Sequence, residues 1–445
     1  MPYRKGAVMN NGYSKGNVMR TSLFTLFLFV SLSLGMSAAG DTPLEKTAEQ
    51  FFLNLVEGND KNLLQTFDLT DAMRSWIQGG QYKAAIKTSL QPYGGIGELQ
   101  KTEILRQDAQ TQFVWLFYSG KTNSFKVRVS FTKNQIAGIH SFPWTDERVY
   151  GGTPIQLKTP TGTLYGTLLE PEQTTKPVPV VLFLAGSGPT DRNCNQPTLH
   201  TDAFRLLAEA LQKSGIASVR FDKRGIGASA ETGRDESKLR FEHLVDDTVR
   251  WIDLLSQEKK YSRIIVLGHS EGSLIGMLAC IQSEKAGGFI SLCGLGRPID
   301  EILREQMSSQ PASVKNALFP ILDELKQGKT VEKVPAELSA LVRPSIQPYM
   351  ISLMKYDPCA EIKKLKIPAL LVQGTTDIQV SIADAEKLSA ANPKVKKVVI
   401  KDMNHTLKKC TVMDSRSQQP YYNDPKIPLH EELVPCVTEF IAGIR

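Results

Sequence analysis

Several features that mark metal, nucleic-acid or membrane proteins are missing from this chain. Among its 445 residues there are only six cysteines and six histidines, and none of their spacings resembles a zinc site. No stripe of lysine and arginine with interleaved aromatic residues is present, which argues against nucleic-acid binding. We therefore predict neither a bound metal nor any other cofactor.

Acidic residues are also missing before Asp41, whereas the same segment carries Arg4, Lys5, Lys15 and Arg20. An apolar run over Leu23–Leu34 and the small residues Ser37–Ala39 follow this basic start, a pattern typical of a cleaved secretory signal. The apolar run is short for a transmembrane helix. We predict that residues 1–39 are a signal peptide and that the mature protein is periplasmic or secreted, without stable membrane insertion. Removal of residues 1–39 lowers the formal net charge of the chain from +7 to +3.

The cysteines allow at most a partial disulfide framework, although export permits disulfides. Cys280 and Cys293 fall in a helix-like and a strand-like stretch, where cysteine acts as a small buried hydrophobic residue. The other four lie in loops or near element ends, and among them we expect Cys410 to pair with Cys436.

Length and composition predict two domains, because 445 residues with 41% hydrophobic content can bury more than one core. Helical spacing over Thr47–Leu55, followed by strand-like runs over Phe113–Phe117 and Phe125–Phe131, predicts a small α+β domain over residues 40–142. We interpret it as a spacer or stability module rather than a direct reader of substrate. Residues 143–445 form the second predicted domain.

The second domain contains apolar runs that are continuous rather than alternating, at Val178–Phe183, Ile264–Leu267 and Ala369–Gly374. Such runs are typical of parallel strands that are buried on both faces. Helix-like stretches separate them, so we predict an α/β fold with an open, mostly parallel sheet covered on both sides.

A serine occupies a sharp turn in this domain. The run Ile264–Leu267 is followed directly by Gly268-His269-Ser270-Glu271-Gly272 and then by the helix-like stretch Leu274–Ala279. A G-x-S-x-G sequence between a strand and a helix is where a nucleophile elbow belongs. An ordinary Ser/Gly turn is the alternative interpretation, and the flanking strand and helix favour the nucleophile.

An aliphatic alcohol attacks a carbonyl only when an imidazole removes its proton and a carboxylate orients that imidazole. His405 is the best base, because a short loop joins it to the strand-like run Val395–Ile400. Asp377 is the best acid, because it follows the strand-like run Ala369–Gly374. Asp402 is the alternative acid, but it lies too near His405 in the sequence. His430 is the alternative base, but its position is more typical of a surface residue or a helix cap.

The chain from about residue 150 onward resembles the α/β-hydrolase superfamily, and within it the exported serine esterase/lipase-like enzymes. The resemblance rests on the order Ser270, Asp377, His405 and on the segments Leu184–Asn193 and Phe221–Ser229, which are similar to motifs beside the family's active site. It implies an α/β-hydrolase mostly parallel sheet with a helical cap insertion. The preceding small α+β domain is similar in pattern to NTF2-like accessory domains.

Two backbone amides are the predicted donors to the oxyanion of the reaction. Glu271 follows the nucleophile directly, and Ser187 is assigned by the resemblance, where fixed N–H groups stabilise a tetrahedral intermediate. Relatives often have histidine where this chain has Ala185. We interpret the charged loops near these residues as scaffolding, and we prefer a loop-bracing ion pair of Asp222 and Arg224 to the alternative that Arg224 contacts substrate.

Residues of about 297–358 form an insertion with apolar residues at helical spacing. Its position predicts a helical cap above the carboxyl edge of the sheet, where substrates approach in α/β folds. The apolar faces either pack onto the body or form an apolar acyl pocket, and the sequence leaves both open.

These observations predict a serine hydrolase that cleaves small-molecule carboxylic esters through an acyl-enzyme. Hydrolysis of amides or peptides, in the manner of an aminopeptidase, is the first alternative, because the same triad serves both reactions. A non-catalytic binding protein on a hydrolase scaffold is the second.

Overall fold

The computed structural model describes residues 44–106, 110–120, 124–144, 151–172, 174–196, 199–233 and 235–444. The predicted signal peptide, residues 1–39, lies outside the described residues. Within these ranges no helix combines the length and the apolar character that crossing a membrane requires.

Four helices open the described chain, and a four-stranded sheet follows them. The helices are α1 (Leu44–Glu57), α2 (Asp60–Thr66), α3 (Asp71–Gln78) and α4 (Gln81–Leu90). The strands are β1 (Ile96–Arg106), β2 (Thr111–Gly120), β3 (Phe125–Thr132) and β4 (Gln135–Pro143). Each strand pairs antiparallel with the next one along the chain, as short connections allow.

This N-terminal part has a core of its own between the helices and one face of the sheet. Alternate residues of a strand point to the same face, and Val114, Leu116 and Tyr118 of β2 all contribute to this core. Phe51 and Phe52 of α1 meet them there. Burial of each such side chain stabilises the fold by about 1.5–3 kcal/mol, so helices and sheet form one unit.

Eight further strands form the second sheet, and their bounds are β5 (Thr153–Thr159), β6 (Gly162–Leu169), β7 (Val178–Leu184), β8 (Ala217–Phe221), β9 (Tyr261–His269), β10 (Ala286–Leu292), β11 (Ala369–Gly374) and β12 (Lys396–Ile400). Their order in space is β12-β11-β10-β9-β7-β8-β6-β5. The hairpin β5–β6 is antiparallel and joins β8 in the antiparallel sense, whereas all other neighbours are parallel.

Helices cover both faces of this sheet, and the central strands are therefore apolar on both sides. The first three are α5 (Ala203–Lys213), α6 (Phe241–Ser256) and α7 (Glu271–Gln282). Val180 and Leu182 of β7 lie in the core that includes α6 and α7, whereas Val181 and Phe183 lie in the core that includes α5. This explains why the sequence of β7 does not alternate.

Five helices between β10 and β11 form the insertion, and their bounds are α8 (Ile299–Gln306), α9 (Ala312–Lys326), α10 (Ser339–Val342), α11 (Gln347–Leu353) and α12 (Pro358–Ile362). The apolar residues Ile302, Leu318 and Leu322 are buried in the same core as α6 and α7. The helical faces noted in the sequence therefore pack onto the body of the domain.

Three last helices complete the chain at α13 (Ile382–Ala391), α14 (Ser415–Asn423) and α15 (Leu433–Gly443). Short 3-10 helices cover Gln91–Tyr93, Gly227–Gly233, Glu236–Lys238 and Ala336–Leu338. The predicted fold class is confirmed: a small α+β part precedes a mostly parallel α/β-hydrolase sheet that carries a helical insertion.

A buried ion pair joins the loops that follow β7 and β8. The Oδ2 atom of Asp222 accepts a hydrogen bond from Arg192 Nη2 at 2.8 Å, and Oδ1 accepts one from the Arg192 amide at 2.9 Å. The expected pair between Asp222 and Arg224 was wrong. Arg192 and the amide of Ala228 already occupy the Asp222 carboxylate, and Arg224 pairs instead with Asp247 of α6 at 2.6 Å.

All six cysteines lie within the described residues, and all are free thiols. The expected disulfide between Cys410 and Cys436 is therefore wrong, since the Cys410 thiol donates to the Val412 carbonyl at 3.6 Å. Cys280 and Cys293 are buried among apolar neighbours, as predicted.

We expect Asp222→Ala to lower the free energy of unfolding by about 3–5 kcal/mol, because it leaves the Arg192 cation buried without its partner. Both side chains of this pair are fully buried. The matched control is Asp253→Ala, which breaks an exposed pair with Lys285 and should change stability by about 1 kcal/mol or less. Chemical denaturation of the two variants measures the difference, and equal losses would contradict the structural role of Asp222.

Candidate active site

Ser270 occupies the turn between the last residue of β9 and the first residue of α7. Its backbone has φ 55° and ψ −124°, a region that a residue with a side chain adopts only when the surrounding structure enforces it. The Ser270 amide donates to the Leu292 carbonyl at 2.9 Å, which ties the turn to the end of β10. The predicted elbow thus has the strained geometry expected of a nucleophile position.

The glycines on both sides of Ser270 are required by close backbone contacts. A Cβ atom on Gly268 would lie 2.2 Å from the Gly272 carbonyl oxygen. One on Gly272 would lie 2.2 Å from the Leu184 carbonyl oxygen, at the end of β7. The helix can therefore start this close to the sheet only because neither position carries a side chain.

Asp377 and His405 are brought together by the loops that follow β11 and β12. The distance between His405 Nδ1 and Asp377 Oδ2 is 2.8 Å, and both residues are buried. They are 28 positions apart in the chain, so the contact is a product of the fold. The structure thus joins the acid and the base that the sequence predicted.

The surroundings of Asp377 keep its carboxylate ionised. Its Oδ1 accepts hydrogen bonds from the amides of Gln379 at 2.8 Å and Val380 at 2.9 Å, and its Oδ2 accepts one from Gln373 Nε2 at 3.0 Å. Burial alone raises the pKa of Asp377, but the contact with His405 and the two amides outweighs it and holds that pKa below its ordinary value. An ionised Asp377 accepts from Nδ1–H of His405, which leaves Nε2 free to take a proton.

His269 connects the elbow to the loop that carries His405. Its Nε2 lies 2.8 Å from the His405 carbonyl oxygen, and the two imidazole rings are 4.6 Å apart. Burial, with a contribution from neighbouring His405, lowers the pKa of His269 to about 3. The ring is therefore neutral, and its Nε2–H donates to the carbonyl.

Ser270 directly follows His269, whose ring lies against that of His405. Among the described residues, no hydrogen bond joins Ser270 Oγ to His405. Hydrogen bonds between nucleophile and base are often long in unliganded enzymes and tighten when substrate binds. The structure thus holds Asp377 and His405 in contact, and His269 links the loop of His405 to the turn that carries Ser270.

One predicted oxyanion donor, the Glu271 amide, directly follows Ser270, and the other, the Ser187 amide, belongs to a loop that approaches Ser270. A Cβ atom on Gly186 would lie 3.0 Å from Ser270 Cβ, which places the loop containing Ser187 directly against the nucleophile. The Glu271 amide is the first of α7, where N–H groups have no partner within the helix and the helix dipole favours negative charge.

The side chain of Glu271 links the loop that carries Ser187 to the insertion, a contact that the sequence did not indicate. Its carboxylate accepts from Tyr349 Oη of α11 at 2.7 Å and from Ser187 Oγ at 3.1 Å. Burial, with help from the Glu271 charge, raises the pKa of Tyr349 well above its ordinary value, so its hydroxyl stays protonated and donates. The pairing joins residues 78 positions apart, which no local pattern could reveal.

One group of potential metal ligands lies inside this site. His269, Cys293 and His405 place ligand atoms within 4.8 Å of one another among the described residues. The Nδ1 of His405 already bonds to Asp377. Burial and the adjacent Asp377 raise the pKa of Cys293 well above its ordinary value, so this thiol stays protonated.

The sequence of this chain is similar to a family of serine aminopeptidases and to a curated esterase. Residues 198–409 match the family described as "Serine aminopeptidase, S33". The chain is 29% identical over 239 residues to the esterase EstD of Thermotoga maritima, an alignment that covers 52% of this chain and 55% of that esterase. It thus spans about half the length of this curated relative.

Among solved structures, Est1E of Butyrivibrio proteoclasticus with bound ferulic acid is similar at a TM-score of 0.47 and 17% identity, over 65% of this chain and 98% of that one. The esterase Pf2001 of Pyrococcus furiosus is similar at a TM-score of 0.42 and 15% identity, over 67% and 95%. The strand order described above defines the α/β-hydrolase fold. The family and curated matches support the resemblance to that superfamily.

We expect Gly272→Ala to destabilise the protein by about 1–3 kcal/mol, because the new methyl group overlaps the Leu184 carbonyl and forces the backbone to move. The control is Gly443→Ala, whose added Cβ meets no atom within 4 Å; this change should stay within about 0.5 kcal/mol. Thermal and chemical denaturation compare the two. A Gly272→Ala protein as stable as the control would contradict the crowding of the elbow.

Proposed function

We propose that this protein is a serine hydrolase that cleaves carboxylic esters through an acyl-enzyme. The observation that carries the proposal is the 2.8 Å contact between His405 Nδ1 and Asp377 Oδ2. It is joined to the strained elbow of Ser270 through His269, which bonds to the His405 carbonyl. An orienting carboxylate, an imidazole with a free nitrogen and an alcohol on a sharp turn form the set of groups that makes serine nucleophilic.

The acylation step begins when Ser270 Oγ attacks the ester carbonyl carbon and His405 Nε2 takes the hydroxyl proton. Negative charge moves to the former carbonyl oxygen, which the amides of Ser187 and Glu271 stabilise. The carbon–oxygen bond to the alcohol then breaks, and His405 gives its proton to the leaving alkoxide. Asp377 stays ionised throughout and balances the transient imidazolium.

The second step returns the enzyme to its starting state. A water molecule loses a proton to His405 Nε2 and attacks the acyl carbon, and the same two amides stabilise the new oxyanion. The bond to Ser270 Oγ breaks, the serine regains a proton from His405, and the carboxylic acid leaves. The net reaction consumes one ester and one water and yields an acid and an alcohol.

Hydrolysis of amides or peptides is the second candidate. The description of the matched family as a serine aminopeptidase favours it, whereas the similarity to the esterase of Thermotoga maritima favours esters. Ester cleavage is the better proposal because an alkoxide leaves more readily than an amine. The same triad serves both reactions, so the relative rates of ester and amide hydrolysis distinguish the two candidates.

We expect the wild-type protein to hydrolyse short and medium acyl esters faster than aminoacyl amides, and Ser270→Ala to abolish that activity. Asp377→Asn should lower kcat by about 10⁴-fold, because the imidazole then adopts the wrong tautomer. The control is Ser283→Ala, which changes a buried serine immediately after α7 and should leave kcat unchanged. Full activity in Ser270→Ala would refute the mechanism, and faster amide turnover would favour the second candidate.

A further inference from the structure

Lys223 is a buried cation that the reaction as described does not use. It lies two residues after β8, and only 7% of its surface is exposed. Its Nζ donates hydrogen bonds to the carbonyl oxygens of Gly186 and Gly188, the latter at 3.1 Å. Both acceptors belong to the loop that lies against Ser270.

The two charged residues that flank Lys223 in the sequence have direct ion-pair partners, and Lys223 does not. Asp222 pairs with Arg192, and Arg224 pairs with Asp247. Within the described ranges Lys223 makes no ion pair and is held by backbone carbonyls. Burial lowers the pKa of Lys223, and the nearby Glu271 carboxylate opposes that shift. A lysine buried in this way is costly, which favours a role beyond filling space.

The carbonyl that Lys223 contacts belongs to the same peptide group as a proposed oxyanion donor. The atoms C and O of Gly186 and N and H of Ser187 form one planar unit with shared π electrons. A hydrogen bond from an ammonium group to the oxygen withdraws electrons from the nitrogen, so the N–H becomes a stronger donor. Chains of hydrogen bonds strengthen one another in this way, most where the local dielectric is low.

We propose that Lys223 is a positioning residue for the oxyanion, acting through the Gly186–Ser187 peptide to fix the Ser187 N–H group and to strengthen it as a donor. This inference rests on the proposed ester hydrolysis and on Ser187 as an oxyanion donor. Lys223 contacts neither substrate nor the reacting atoms. Its positive charge acts most when negative charge appears on the substrate oxygen, which is in the transition state.

The test combines kinetics with vibrational spectroscopy of the acyl-enzyme. A p-nitrophenyl ester with an isotope-labelled carbonyl acylates Ser270, and the stretching frequency of that carbonyl reports the hydrogen bonds it accepts. In Lys223→Met we expect kcat to fall by about 10- to 100-fold. This fall should not exceed the one caused by removing a whole oxyanion donor. KM should not rise, because the lost interaction belongs to the transition state. The carbonyl frequency should move upward.

Lys223→Gln separates the charge from loop support, because it keeps an N–H donor for the carbonyls and removes the cation. We expect it to share the higher carbonyl frequency and lower kcat of Lys223→Met. A Lys223→Gln protein with wild-type rate and frequency would overturn the role of the charge. It also keeps the proposal testable if Lys223→Met fails to fold.

The matched control is Lys408→Met, because Lys408 is also a buried lysine whose Nζ donates to a backbone carbonyl, that of Asp424 at 2.7 Å. This change should lower stability while leaving the acyl carbonyl frequency unchanged. Equal acyl carbonyl frequencies in wild type and Lys223→Met would overturn the role proposed for Lys223 and would leave the proposed ester hydrolysis untouched. If the wild-type protein forms no acyl-enzyme on Ser270, the proposed function itself fails.

Discussion

The hydrogen bond between His405 and Asp377 is the contact on which the proposed chemistry depends. It fixes the tautomer of the imidazole and leaves Nε2 available for the proposed role as base. The carboxylate can act in this way because two backbone amides and Gln373 hold it in place. The loops after β11 and β12 meet only because those strands are parallel neighbours in the sheet.

A second constraint is the close approach of backbone segments around Ser270. Gly268, Gly272 and Gly186 all lie where a side chain would collide with, or crowd, a neighbouring segment. The start of α7, the end of β7 and the oxyanion loop therefore share one small volume. The proposed donors and nucleophile are placed by main-chain packing, so the side chains around them act mainly by holding that packing.

Buried charged residues hold the loops around Ser270 in place. The pair of Arg192 and Asp222 ties two loops together where β7 and β8 end, and Lys223 reaches from the same loop to the carbonyls of the oxyanion segment. In addition, Glu271 joins the loop that carries Ser187 to Tyr349 of the insertion. Hydrogen bonds of buried side chains thus connect the loop that carries Ser187 both to the end of β8 and to the insertion.

The features of the fold and of the candidate site that depend on neighbouring residues could be predicted from the sequence. The continuous apolar runs predicted the parallel strands, and the glycines around Ser270 predicted the sharp turn. Asp377 and His405 were predicted because each follows a strand whose end lies at the same edge of the sheet. Their catalytic roles stay predictions, although the structure brings the two side chains into contact.

Contacts between distant residues could not be predicted, because their partners are chosen by tertiary packing. Asp222 was paired with the nearby Arg224, whereas the fold supplies Arg192, 30 positions away. The bond between Tyr349 and Glu271 is of the same kind. The expected Cys410–Cys436 disulfide was wrong because loop position alone carries no information on which thiols meet.

The most direct test of the central claim is the mass of the protein during turnover. Rapid acid quenching after mixing with an activated ester, followed by intact-mass and peptide analysis, should show one acyl group added to the peptide that contains Ser270. Substrate consumption without any acylated protein, or acylation at another residue that accounts for the full rate, would contradict the account.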